Sequence, residues 1–537
     1  MNPTTASTAL DTLVDQMTSQ IATVTRSLAS WMQESPRSLG DAEQTVLTQI
    51  RAVAATLLTG LVALVTSTQV PEPTIPCRCG QHARYQRQRL AQVTTLVGAI
   101  PIPRAYYHCP ACHQGHCPAD VQLQILAGSR SAGLDELLAL LGATQDSFSA
   151  AACVLERLSL VHVCANTVRS ATEGLGAVLV ARQAATAERH QTMDDLPAPT
   201  SPPVARIPRL YISMDGIQTH LRETGWSEMK VGCVYQTRTR PDRQRPEQLT
   251  IRLDQPSYCA ALVDATTFGS QIWSEAVRRG VLHADEIIVV GDGSHWIWNI
   301  ADTQFAGATQ ILDWYHASSY VWDAAHAIWP TVPSARTAWA KTQLDRLWAG
   351  QVDAVITELD AQQGHGAAVT TARTYYTNQR CRMDYPTYRA RGLQIGSGSI
   401  ESACKQVITT RLKLAGMIWD ASGAEEVATV RAWLKSGRWA EAMALRPRRQ
   451  RTYARTNARA AAIDAVTHVP AQLAPAHEPV APPRRSTLPP ELRERIQREL
   501  AEERKPENHP WRQPVSKRQQ RAHAETRMAS QTPSIAV

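Results

Sequence analysis

The sequence predicts a mixed α/β core framed by helical regions, a small cysteine-bearing hairpin and a basic tail. Three observations carry this. Leu210–Met214, Met229–Tyr235 and Leu249–Leu253 alternate as strands do, and a helical piece around 271–279 leads to a further strand, Glu286–Val290. Helical periodicity occupies both the stretch before these strands and the stretch of about 317–385 after them. Two cysteine pairs, Cys77/Cys79 and Cys109/Cys112, bracket a predicted hairpin with strands around Leu90–Leu96 and Ala99–Tyr107.

In chain order, residues 1–70 read as helices, with Leu10, Leu13, Val14 and Met17 at helical spacing and Ile50–Val65 nearly continuous apolar sequence. The most apolar run, Ala52–Thr66, is shorter than the ~20 residues of a membrane span and predicts a buried helix, with no membrane partner. Residues 71–122 form the cysteine unit, and 123–185 return to helix. A linker is predicted over 186–207, where Leu196–Pro203 is too proline-rich to continue a helix. The core is predicted over 208–445, and 446–537 reads as a basic tail without periodicity, mostly disordered.

With 537 residues, of which 43% are hydrophobic and 19% charged, the chain has room for several packed units. The net charge of +8 is a property of the tail. From Arg446 onward 18 Lys+Arg stand against 9 Asp+Glu, leaving 38 against 39 before it. Such a tail suits a polyanion, because phosphate contacts release counterions, and equally suits a solvated segment without a partner. Eleven scattered cysteines and the lack of a basic, cleavable leader pattern predict a reducing, cytoplasmic setting.

Three acids stand in suggestive places. Asp215 follows the apolar run Leu210–Met214 and precedes Gly216; Asp292 follows Ile287–Val290 and precedes Gly293. An acid at a strand end followed by glycine is where a sheet presents ligands to a crevice, and it is also an ordinary turn. Glu401 flanks a helix predicted over Ser399–Leu414, whose stripe Ile400, Ala403, Cys404, Val407 and Ile408 has core periodicity. Three converging carboxylates repel unless a cation lies among them; oxygen ligands suit Mg²⁺ or Mn²⁺, and two such ions serve phosphoryl transfer.

The stretches SMDGIQTHLRETGWSEMKVGCVY (213–235), VVGDGSHWIWNIADTQFAGATQILDWYH (289–316) and IGSGSIESACKQVITTRLKLAGMIWDASGAEEVATVRAWLKSGRW (395–439) resemble the ISKra-type family of bacterial insertion-sequence transposases, relatives of the Mutator-like group. The resemblance covers roughly 75–440. It implies an RNase H-like core with a catalytic, Mg²⁺-binding triad on Asp215, Asp292 and Glu401, and a helical insertion between the last two. It implies DNA strand cleavage and transfer, with the element's terminal inverted repeats and target DNA as partners. At least two subunits are expected, because two ends must be joined, in a bacterial, nucleoid-associated protein. A DNA-binding regulator without chemistry and a stand-alone nuclease are the alternatives.

Asp313 and His316 occupy the place of a Cys/His-x-x-His pair in Mutator-like enzymes, as a further metal ligand or as an Asp–His hydrogen bond. Lys405, Arg411 and Lys413, on the helix of Glu401, are candidate phosphate contacts or solvated charges. Trp296, Trp298, Trp314 and Trp322 read as core packing before base stacking. Cys77, Cys79, Cys109 and Cys112 have the layout of a zinc ribbon, with a tight first C-x-C; free or redox-active thiols are the alternative, and Cys117, His108, His113 and His116 are substitute ligands. Phe148–Leu158 and Asn166–Gly174 form two helical patterns, either a helix-turn-helix with Thr167, Arg169 and Ser170 on its recognition helix or a plain helical hairpin.

Overall fold

The computed structural model describes residues 3–34, 37–66, 71–126, 128–192, 206–241 and 249–446. The proline-rich linker Leu196–Pro203 and the tail beyond Arg446 lie outside them. The chain divides into two compact units. The first holds the described residues up to Val289, Ser294–Thr309 and those from Gly398; the second holds Val290–Gly293 and Gln310–Ser397.

The first unit opens with two long helices, α1 (Pro3–Gln33) and α2 (Leu39–Thr66). Here the structure departs from the expected short, buried helix. α2 spans 28 residues, Val53 is its buried side chain, and by length and composition it could cross a membrane. A four-stranded antiparallel sheet follows, β1 (Thr74–Pro76), β2 (His82–Thr95), β3 (Gly98–His108) and β4 (Gly115–His116), in sequential order. Val93, Ile100 and Ile102 of this sheet form a small core that Ala55, Leu58 and Val62 of α2 cover. The buried Arg104 pairs with the buried Asp120 of α3 (Pro118–Gln122), so neither charge is left without a counter-ion.

Three helices come next: α4 (Ala132–Thr144), α5 (Phe148–Ser159) and α6 (Ala165–Thr192). Ser131 and Ser147 cap α4 and α5 by accepting backbone N–H bonds, and Leu134, Leu138, Leu155 and Val168 fill the space between the helices. Past them the chain enters the mixed sheet through β5 (Leu210–Leu221), β6 (Gly225–Pro241) and β7 (Leu249–Ala261), an antiparallel meander. α7 (Ala265–Arg278), capped by Asp264, leads to β8 (Ile287–Gly291), then α8 (His295–Gln304) and β9 (Thr309–Leu312). The sheet order is β7-β6-β5-β8-β9. β8 approaches β5 in parallel register, where Ile207 bridges Ala284 and Leu210 N–H donates to Glu286 O at 2.9 Å.

The second unit is mainly helical: α9 (Trp314–Ile328), α10 (Pro333–Trp348), α11 (Val352–Ala361), α12 (Ala367–Gln379) and α13 (Tyr385–Ala390). It takes in the 317–385 stretch read as helices from periodicity. The first unit resumes with α14 (Gly398–Ala403), a π-helix over Cys404–Thr409, α15 (Thr410–Leu412), α16 (Ala421–Lys435) and α17 (Trp439–Leu445). The single helix expected over Ser399–Leu414 is therefore interrupted. Its stripe is nevertheless buried as expected, Ile400, Ala403, Cys404, Val407 and Ile408 all facing inward. Another core joins α4, α6, α16 and α17 through Ala139, Leu175, Leu179, Val430, Trp433 and Ala442.

Candidate functional site

The hairpin β2–β3 brings together the two cysteine pairs that flank it. Sγ atoms of Cys77 and Cys112 lie 3.5 Å apart, those of Cys79 and Cys109 3.7 Å, and all four fall within 4.8 Å of one another. Four thiolates around one Zn²⁺ at ~2.3 Å would stand roughly 3.8 Å apart, so the cluster could bind zinc. Two tight turns present the pairs. Gly80, at φ +84°, lets its N–H reach Cys77 O at 3.0 Å, and Cys109 N–H donates to Gln114 O at 2.9 Å. The tight C-x-C therefore does not displace Cys79. Cys117 stands at the position before α3 and outside the quartet, while His116 Nε2 approaches Cys77 Sγ at 3.1 Å. Backbone N–H groups of Cys112 and Ala111 pull the Cys109 thiol down to about 7 against the opposing effect of burial, favouring the thiolate form a metal requires.

Asp215 lies inside β5, opposite Val231, rather than past a strand end as expected. Leu210–Met214 are fully buried, and exposure begins at Asp215. The glycine after it has a different purpose from the one expected: a Cβ on Gly216 would fall 1.7 Å from Glu228 Oε1. Glycine leaves space for the Glu228 carboxylate, whose Oε2 accepts from Lys230 Nζ at 2.8 Å. Lys230 in turn lies 4.9 Å from the centre of the Trp296 ring.

Glu401 is exposed on α14, which a buried hydroxyl network docks on the same face of β5. Ser399 Oγ donates to Tyr235 OH at 3.0 Å and lies 3.4 Å from Ser213 Oγ, and Ser213 is two residues before Asp215 on one face of the strand. Cys404, one turn after Glu401, places its thiol 3.7 Å from Asp215 Oδ2. Burial, then the charges of Asp215 and Glu401, push that thiol far up, so it stays protonated near neutrality. One acid singled out in the sequence, Asp215, thus meets the helical segment that carries another, Glu401.

The π-helix directly after Glu401 carries a backbone pattern whose leftover carbonyls need donors. Arg431, buried in α16, supplies them. Its Nε donates to Val407 O at 2.7 Å, its Nη2 donates to Thr410 Oγ1 at 2.6 Å, and further bonds reach Gln406 O and Ala143 O. Arg411, expected on the surface as a phosphate contact, is instead 1% exposed. Its guanidinium donates to Gly142 O at 3.0 Å and lies over the rings of Phe148 and Trp419. Arginines as deep as these look identical in sequence to solvated ones. Lys405 and Lys413 are exposed. Arg169 holds Glu173 at 2.7 Å and Asp420 at 2.6 Å, whereas Ser170 is exposed and Thr167 half-buried on the same helix.

In the second unit, Asp292 follows β8 and leads into Gly293, at φ +107°, a conformation only glycine adopts easily. Tyr375 OH donates to Asp292 O at 2.6 Å and Gln379 Nε2 to Gly293 O at 2.9 Å, so α12 fixes the turn. Asp313 is fully buried and caps α9. Its Oδ2 accepts from His316 N at 2.8 Å and lies 2.6 Å from His316 Nδ1, and its Oδ1 accepts from Ser397 N at 2.6 Å. Of the two readings of this pair, the Asp–His hydrogen bond is the one the geometry displays. Trp314 packs edge-on against Trp348 and Tyr385, Trp298 is 3% exposed, and Trp322 lies against His326, all in packing roles.

No protein-family model matches this chain, and no curated protein matches it significantly.

Proposed function

We propose that the protein is a DNA transposase of an insertion sequence that cuts and rejoins DNA, with Asp215, Glu401 and Asp292 as its catalytic acids. The observation that carries this is the docking of the Glu401 helix on the Asp215 face of β5, through Ser399 on Tyr235 and through Cys404 beside the Asp215 carboxylate. Buried apart from solvent, paired acids would neutralise by proton uptake; at a half-exposed strand they are better suited to share divalent cations. The sheet supports an RNase H-like core: a meander whose first strand neighbours β8, the strand leading to Asp292.

When bound, Mg²⁺ or Mn²⁺ would supply charge to activate an attacking oxygen and stabilise a departing one. The three carboxylates would hold the ions and the scissile phosphate in register. Water would attack phosphorus, the P–O3′ bond would break, and a 3′-OH and a 5′-phosphate would remain. The 3′-OH would then attack a target phosphodiester, releasing its own 3′-OH. Positioning and charge neutralisation account for most of such a rate enhancement.

Around this site, the cysteine quartet with Zn²⁺ and the α5–α6 pair would bind the element ends, Thr167 and Ser170 reaching DNA, with Lys405 and Lys413 on phosphates nearer the acids. A cytoplasmic, nucleoid-associated location in a bacterium accords with such a partner. The test is incubation of the full chain with its element-end DNA, target DNA and Mg²⁺. Cleaved and joined products are expected; cleavage without joining would mark a nuclease, and binding alone a regulator.

A further inference from the structure

The α1–α2 hairpin has three faces, and two are occupied. The helices run antiparallel, since Leu13 packs on Gly60 and Gln20 Nε2 bonds Thr56 Oγ1 at 3.4 Å. Their seam buries Leu13, Met17 and Val53. A second face of α2 covers the β2–β3 hairpin with Ala55, Leu58 and Val62.

The third face is apolar and exposed. On α1 it consists of Leu10, Val14, Ile21 and Met32, 45–54% exposed; on α2 it consists of Val46, Ile50, Leu57 and Leu61, 40–51% exposed. At about 100° per residue, each stripe lies roughly 60–75° from its helix's side of the seam. In an antiparallel pair these rotations fall on one side, so the hairpin presents a single two-helix face. At ~1.5 Å per residue from Leu10 to Met32 and ~10 Å per helix, it measures about 33 by 20 Å, close to the ~800 Å² per partner of a stable interface.

The stripes are self-complementary. Turned end for end about Ile21, α1 sets Leu10 opposite Met32 and Val14 opposite Leu28. Turned about the midpoint of Val53 and Ala54, α2 sets Val46 opposite Leu61 and Ile50 opposite Leu57. The Leu13–Gly60 and Gln20–Thr56 contacts place these two centres at the same level of the hairpin. One twofold axis therefore serves both helices, as an interface between identical chains requires. We propose that this face is a homodimer interface in which two hairpins pack antiparallel as a four-helix bundle. The inference stands independently of the catalytic reading.

Sedimentation of the full chain from about 1 to about 50 µM tests it, a range in which a bundle of this size should be dimeric. Ile21→Asp and Leu57→Asp should each weaken association at least about tenfold with helix content unchanged. Under mild oxidation Ile21→Cys, on the axis, should cross-link to its partner copy above the wild-type background, and Val14→Cys, off the axis, should not. A monomeric wild type, a dimer indifferent to both Asp variants, or equal cross-linking at both positions would overturn the proposal. So would a monomer that sediments with phosphatidylglycerol vesicles through this face, which would assign it to lipid.

Discussion

The Cys404 thiol stands 3.7 Å from Asp215 Oδ2, at the start of the π-helix that follows the short helix carrying Glu401. A thiol held protonated against a carboxylate is a neutral neighbour, not a metal ligand. Cys404→Ser should therefore keep DNA cleavage within about threefold of wild type. Asp215→Asn, Asp292→Asn and Glu401→Gln should each lower it by at least ~10³ while leaving end binding nearly intact. Single-turnover cleavage beside a gel-shift assay separates the two effects; an active Glu401→Gln would remove that residue from the site.

Burial holds the thiols of Cys233, Cys259 and Cys404 well above the usual cysteine range. A raised folded-state value means that above pH ~9 the unfolded chain loses protons the folded chain keeps. Stability should be insensitive to these groups at neutral pH and fall as pH rises past about 9, by up to ~1.4 kcal/mol per pH unit for each thiol. Urea unfolding at pH 7.5, 9 and 10 reads this directly. Replacing Cys259 by Ala should flatten the slope.

The cysteine cluster predicts one Zn²⁺ per chain by metal analysis. Cys79→Ser should lose the metal as fully as Cys109→Ser, because both thiols belong to the quartet, while Cys117→Ser should retain it. A protein in which Cys79→Ser keeps its zinc and Cys117→Ser does not would reassign the fourth ligand.

The cysteine cluster was legible in the sequence because its chemistry is local: two turns and a hairpin determine which thiols meet. Asp215 was legible as a residue but not as a position. Apolarity stops at Met214, whereas the strand continues on pairing with β6, which no local pattern records. The stripe from Ile400 to Ile408 was read correctly as buried, yet its spacing fits an unbroken α-helix as well as a π-helical insertion. The donor that meets the π-helix carbonyls is Arg431, distant in sequence from both Val407 and Ala143. The burial of Arg411 is hidden for the same reason, its partners being the Trp419 ring and, distant in sequence, the carbonyls of Gly142 and Asp146 and the ring of Phe148.

Gly293, in a turn, and Gly216, inside β5, make a contrast that tests the two acid-glycine pairs. At Gly293 a side chain meets both a positive φ and the Tyr375 ring, 2.7 Å from the added carbon, so Gly293→Ala should destabilise by about 1–3 kcal/mol. At Gly216 the obstacle is the movable Glu228 side chain, so Gly216→Ala should cost less, and adding Glu228→Ala should relieve most of it. Chemical denaturation of the three variants checks the order.

Arg431 offers the sharpest test of what holds the Glu401 helix. It satisfies carbonyls of the π-helix and of the α4 C-terminus at once, and burial draws its own value down to about 10, leaving it charged at neutral pH. Arg431→Met keeps the aliphatic stem but strands those acceptors, each worth ~1–3 kcal/mol when unsatisfied, so a loss of about 3 kcal/mol or more is expected. Arg431→Lys, with one point donor in place of a fork, should recover only part of it. If the π-helix matters for placing Glu401, cleavage by Arg431→Lys should fall further than the folded fraction does, with end binding retained. Cleavage in simple proportion to folded protein would reduce Arg431 to a stabilising residue.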